Sequence, residues 1–161
     1  MIQRKDIFIH GWDLAFDVEG WYPPLKAALN DVDFKQASWK AEGKSSHTIA
    51  ELVNHLLYYT KRFLFRLERK SWPYTISTND ESFNNISTAD LWNSSLQELS
   101  DLHQNIKKKI EELADGELDL SLPEASIGEQ VLNLIMHDAY HTGQIVLIRK
   151  LYGSWPETRD V

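Results

Sequence analysis

Six histidines carry most of the chemical potential of this 161-residue chain, which has no cysteine. His137 and His141 stand four apart, so on a helix both imidazoles lie on one face, one turn from each other. Two ligands so placed can share a metal ion. At about 100° per residue, Leu134 and Tyr152 share one direction, with His141 about 20° and His137 about 60° from it. Ile145 and Ile148 flank the same direction, so the pair is expected to face an apolar interior. Imidazoles there need partners, because an unpaired buried polar group is costly. A metal ion would satisfy them, and hydrogen bonds to other side chains would do so too. His55 offers a third point, beside the stripe Leu52, Leu56 and Tyr59 on another helical segment. Three neutral imidazoles from two facing helices would form an open site with a fourth position for water or substrate. Spacing alone leaves that reading level with three satisfied core histidines.

The remaining candidates carry blander expectations. His47 precedes a helix and reads as a surface cap residue that could line a pocket. His10 suits an ordinary structural role, and His103, beside Asp101 and Gln104, is expected to be solvated. Glu51, one turn before His55, could orient the second ring nitrogen of that histidine, although a solvated capping role is simpler. Tyr59, Tyr140 and Gln144 are candidate pocket residues, although Tyr59 reads more simply as core with its hydroxyl bonded. Asp138 suits the helix surface or a pair with another helix, and Tyr140 and Gln144 suit packing or an interface. The six tryptophans, Trp12, Trp21, Trp39, Trp72, Trp92 and Trp155, read as core or interface anchors.

Four helical stretches must position these groups. The first is expected from about Arg4 to Asp17, with a break at Gly20 and a short continuation after Pro23-Pro24 to Leu29. The second opens on a capping box of Thr48 and Glu51, with Ser45 and Ser46 just before, and should run to about Arg69, ahead of Trp72-Pro73. Ser77 to Asn85 reads as loop. The third opens at Ser87 or Thr88, carries the stripe Leu91, Leu99, Leu102, Ile106, Ile110 and Leu113, and has Gly116 as its stop. The last opens on a second box, Ser126 with Glu129, and ends at Gly153 before Pro156. Its stripe is Ile127, Val131, Leu134, His141, Ile145, Ile148 and Tyr152. No segment reads as a strand, and four amphipathic helices imply an all-α antiparallel bundle. The order of the helices stays open at this level.

Composition narrows the function classes. One domain spanning residues 1–161 suits this length. Apolar residues make up 42%, charged residues 25% and aromatics 11%, ordinary values for a folded globule. A net charge of -7 and no basic stripe argue against general nucleic-acid binding and against docking on anionic membranes. The run Lys107-Lys108-Lys109 falls late in a helix, where cations suit its dipole. Without cysteine, thiolate sites and a cysteine nucleophile are excluded, and a reducing compartment is expected. No apolar h-region or membrane span is visible, so the cytoplasm is the expected location.

Three segments together resemble the DinB-like (YfiT-like) superfamily. Ser46-His47-Thr48-Ile49-Ala50-Glu51-Leu52-Val53-Asn54-His55-Leu56 is similar to the start of the second helix in those proteins. His137-Asp138-Ala139-Tyr140-His141-Thr142-Gly143-Gln144-Ile145 is similar to a segment near their C-terminus, and Gly20-Trp21-Tyr22-Pro23-Pro24-Leu25 to one in many members. The resemblance implies a four-helix bundle in up-down-down-up order with one long crossover. It also implies one divalent metal, nickel or zinc, on His55, His137 and His141, and a homodimer. The activities it implies are metal-dependent hydrolysis of a small molecule, with water as nucleophile, or transfer of an external low-molecular-weight thiol, as in bacillithiol- and mycothiol-using relatives. A non-catalytic, metal-binding or stress-related helical dimer is the rival from another class.

Overall fold

A computed structural model describes residues 2–41 and 47–158, and helices dominate it. The elements are α1 (Arg4–Phe16), α2 (Leu25–Leu29), α3 (Phe34–Ala37), α4 (Ile49–Leu67), α5 (Ala89–Glu112) and α6 (Ile127–Tyr152). Two single 3-10 turns, Asn79–Ser82 and Asp115–Asp119, lie in the connections. Among the described residues there is no strand, only an isolated bridge between Ser121 and Ser126. Among the described residues, no helix is long and apolar enough to cross a membrane.

The helix starts follow from local chemistry. Thr48 Oγ1 accepts from the Glu51 amide at 3.1 Å, and the Glu51 carboxylate accepts from the Thr48 amide at 2.8 Å. Ser126 and Glu129 repeat the arrangement at the start of α6, and Thr88 caps α5. Each box satisfies donors that the first turn leaves without partners. At the far end of α6, Gly153 takes φ 83, the left-handed conformation that glycine adopts without a Cβ penalty. Ser45 and Ser46 lie outside the described residues.

Several expectations change in detail. Helix α4 ends at Leu67, and Arg69 turns the chain at φ 54. Helix α5 ends at Glu112, before Gly116, because the next residues are drawn to the start of α1. Asp115 accepts from the Lys5 amide at 2.8 Å, and the Arg4 guanidinium reaches both Asp115 and Asp119. Helix α3 forms where no periodicity marked it, with Asp33 accepting from the Gln36 amide. The Ser77–Asn85 loop contains a turn whose Ser82 is buried. Two residues of the expected stripes face outward: Leu91, in the first turn of α5, and Tyr152, at the end of α6.

The four longer helices enclose one apolar core. Helix α1 packs on α5 and α6, and α4 packs on the same two. Leu25, Ile49, Leu56, Ile106, Ile110, Val131 and Ile145 are sealed at its centre. Trp12 and Trp92 are buried with their indole N–H groups bonded to the carbonyls of His103 and Val32, as buried indoles require. Trp39 and Trp155 pack partly against this core, whereas Trp21 is fully exposed. The side of the core where α4 faces α6 is polar, and it holds the histidines.

Candidate metal centre

His55 projects from α4, and His137 and His141 from α6. One ring nitrogen from each lies within 4.8 Å of the others. Within the trio, His55 Nε2 and His137 Nε2 are 2.8 Å apart. His55 and His141 are buried, and His137 is the more open member, with a quarter of its side chain exposed. The three form one wall of a cavity of about 660 Å³ between α4 and α6.

The outer ring nitrogens show how two of the imidazoles are aimed. Ser82 Oγ lies 2.6 Å from His55 Nδ1 and donates its own proton to the Asn79 carbonyl. The hydroxyl must therefore accept from Nδ1–H, which leaves the Nε2 lone pair of His55 facing inward. Asn54, the neighbour of His55, donates to the Ser82 carbonyl and pins the same turn. His141 Nδ1 lies 2.6 Å from Gln144 Oε1, an amide acceptor, so its Nε2 is also left as a lone pair. Ligating histidines are commonly oriented in this way, through the ring nitrogen that does not bind metal.

His137 supplies a direct test of fit. Next to the lone pair of His55 Nε2, the 2.8 Å contact without an ion requires a proton on His137 Nε2. That tautomer leaves the buried Nδ1 of His137 as an acceptor, 3.9 Å from the Asp138 carboxylate and with no hydrogen-bond partner. A cation held through the three imidazoles would take the place of that proton, and the His137 proton could then sit on Nδ1, facing Asp138. The donor set therefore fits a divalent ion better than it fits a set of satisfied core histidines. Imidazole nitrogens suit zinc, nickel, iron and copper.

Electrostatics agrees with this geometry. Burial, reinforced by His137 and His141, pushes His55 down to about 3, and burial with the adjacent His137 pushes His141 down to about 4. Burial lowers His137 as well. All three are neutral at neutral pH, the form a metal requires.

The structure redistributes roles among the other candidates. Glu51 closes the capping box and lies 3.7 Å from His47 Nδ1, and the orienting position on His55 belongs to Ser82. His47 lines the cavity, with Phe83 stacked between it and His55 at 3.9 Å from each ring. Tyr59 is also a cavity residue. Burial raises its hydroxyl, which donates to Asn79 Oδ1 at 2.8 Å. Tyr140 and Gln144 are on the cavity wall, and Gln144 holds His141. Its position three residues after His141 is the sequence signal for that contact, since such pairs meet on a helix. His10 is exposed on α1.

His103 is not solvated. It follows Leu99 by four residues and precedes Ile106 by three, which turns it into the core regardless of its polar neighbours in sequence. Its ring stacks on Phe16 at 3.9 Å, and its Nε2 lies 3.2 Å from the equally buried Asp138 Oδ2. Asp138 thus pairs with another helix while standing beside a candidate ligand. Ser82 was not marked by any local pattern, because its contact with His55 spans 27 residues.

An all-helical chain with three convergent histidines defines a class, and comparison with known families narrows it. The DinB superfamily matches residues 24–145, a span that contains the cavity and all three histidines. The chain belongs to the DinB superfamily. No curated protein and no solved structure matches it.

The depressed histidines make the metal-free protein acid-sensitive. Their unfolded value is about 6.5, so below that pH the unfolded chain binds protons that the folded chain refuses. Stability should fall progressively from pH 6.5 toward pH 3 and should not change on this account above pH 7. Nitrogen-detected NMR of the metal-free protein at pH 5 should find His55 and His141 neutral. Imidazolium signals from both at that pH would contradict the assignment.

Proposed function

We propose that this protein is a metal-dependent hydrolase of the DinB superfamily, with one divalent ion, nickel or zinc, held by His55, His137 and His141. The observation that carries the reading is the convergence of three neutral imidazoles, two of them aimed by Ser82 and Gln144, on the wall of a substrate-sized cavity. When bound, the ion supplies Lewis acidity and makes a water in the open position a nucleophile near neutral pH. The chain supplies the rest. Ser82 and Gln144 fix the rings of His55 and His141, Phe83 shields one face of His55, and the Tyr59 ring packs edge-on against His55 and His137.

The fold that accompanies this reading is a single-domain four-helix bundle in up-down-down-up order, with residues 68–88 as the long crossover. Paired contacts support it. Lys61–Glu98 and Lys109–Glu68 advance together along α4 and α5, as in parallel helices. His55–His137 and Arg66–Gln130 run oppositely along α4 and α6, and Lys5–Leu113 and Lys107–Asp13 run oppositely along α1 and α5.

A second use of the same centre is favoured by the length of the cavity, which continues past the histidines to Arg62 and Arg66. That space admits a second reactant, as S-transfer from an external thiol requires. A homodimer is the assembly we propose. Leu132, Met136, Tyr140, Leu147 and Leu151 form an exposed apolar stripe along α6, of the kind that marks interfaces.

Two measurements test these readings. Purified protein dialysed against zinc or nickel should retain one ion per chain by elemental analysis. His137→Ala should abolish retention, and Ser82→Ala should weaken it by about 10–100-fold. An ion-free wild type would refute the metal assignment. Stoichiometric metal with no turnover of esters, amides or thiol–electrophile pairs would favour binding without catalysis, and turnover that requires added thiol would identify the transferase. Light scattering should give a dimer for the wild type and a monomer for Met136→Glu; a monomeric wild type would remove the dimer.

A further inference from the structure

The cavity has a second polar end. Arg62 and Arg66 follow His55 on α4 by seven and eleven residues, which places them within about 20° of its direction. At about 1.5 Å rise per residue they stand about 10 and 16 Å further along the helix. Both line the same cavity as the histidines. Their guanidinium groups converge on a single oxygen, Glu124 Oε1, at 2.5 Å from Arg62 Nη2 and 2.7 Å from Arg66 Nη2. Arg66 is further fixed by donating to Gln130 Oε1 at 2.8 Å. These three charged groups carry one positive charge in excess. The other carboxylate on the described cavity wall, Asp80, belongs to the turn beside Tyr59.

We propose that Arg62 and Arg66 form a subsite for a carboxylate group of the substrate, and that Glu124 occupies this subsite until the ligand displaces it. The proposal rests on reading the cavity as the substrate site of the metal centre. Glu124 itself shows that a carboxylate fits between the two guanidinium groups. Its side chain is 60% exposed, so leaving the arginines returns it to water at little cost. An ion pair this exposed adds little to stability, and a ligand carboxylate would restore the same charge-assisted hydrogen bonds.

The backbone under Glu124 is built for such an exchange. Glu124 sits at φ 83, a left-handed conformation that a residue with a Cβ rarely adopts. The buried Gln130 amide holds that turn by donating to the carbonyls of Pro123 and Ala125 at 3.1 and 2.9 Å. The carboxylate can therefore swing out while the turn stays in place. A substrate with an electrophilic carbon near the histidines and a carboxylate about two helical turns away spans the cavity.

Calorimetry with simple carboxylates tests the subsite. Octanoate titrated into metal-free protein should bind through Arg62 and Arg66, with its chain along Phe63 and Leu134. Glu124→Gln removes the competing charge and should tighten octanoate binding by about tenfold or more, the yield of one charge-assisted hydrogen bond. The double variant Arg62→Gln with Arg66→Gln should lose binding while keeping its helical circular dichroism. If that variant misfolds, Glu124→Gln alone decides. In zinc-loaded protein, suberate, which can reach both ends, should bind about tenfold or more tighter than octanoate. Octanoate binding that ignores all three residues, or no binding even to Glu124→Gln, overturns the subsite. Failure to retain zinc would instead refute the metal centre and leave the octanoate result standing.

Discussion

The structure depends on how three imidazoles are kept neutral and aimed while withdrawn from water. A buried imidazole has two nitrogens to satisfy, and in an apolar layer each unsatisfied one is a penalty comparable to a lost hydrogen bond. The chain answers from outside the cluster for His55 and His141. A serine from the connection between α4 and α5 and a glutamine one turn along α6 accept from the Nδ1 protons, which leaves each Nε2 with a lone pair. His137 cannot be satisfied in the same way without an ion, since its two nitrogens face a lone pair and a carboxylate. Burial lowers all three histidines, so protonation does not relieve the arrangement near neutral pH. A divalent cation held by the three, as proposed, would relieve it in one event.

The surrounding fold follows from this requirement. Helices α4 and α6 each begin on a capping box, which fixes their first turns and so the rotational position of every later residue. The crossover between α4 and α5 returns over the site, where Asn54 and His55 hold its turn and Phe83 stacks on His55. Behind the cluster, Asp138 pairs with His103, which is packed against Trp12 and Phe16 of α1. The site therefore draws on α4, α6 and the crossover directly, and on α5 and α1 through that buried pair. Arg62, Arg66 and Glu124 line the same cavity, so in the proposed reading it has a cation-binding end and an anion-binding end.

Much of this was legible in the sequence because it is local. The spacing of His137 and His141, the two capping boxes and Gly153 specify structure within a few residues of themselves, and the helices form accordingly. Spacing made His55 a plausible third ligand beside its stripe, level with a core role, and the family resemblance favoured joining it to the other two. What stayed hidden is non-local. Ser82 lies in a polar stretch with no period, and its burial exists only because α4 passes beneath it. His103 reads as solvated from Asp101 and Gln104 beside it, although its neighbours one turn away are Leu99 and Ile106. Glu51 and Ser82 compete for the same role on paper; the capping box had already engaged Glu51.

The central claim is that His55, His137 and His141 together coordinate one divalent ion. X-ray absorption at the K edge of the retained metal measures this without reference to any reaction. Three imidazole nitrogens at about 2.0–2.1 Å are expected, with the outer-ring scattering that identifies histidine, and the loss of one imidazole in His55→Ala. A shell of oxygen ligands without imidazole scattering, or one unchanged in His55→Ala, would contradict it.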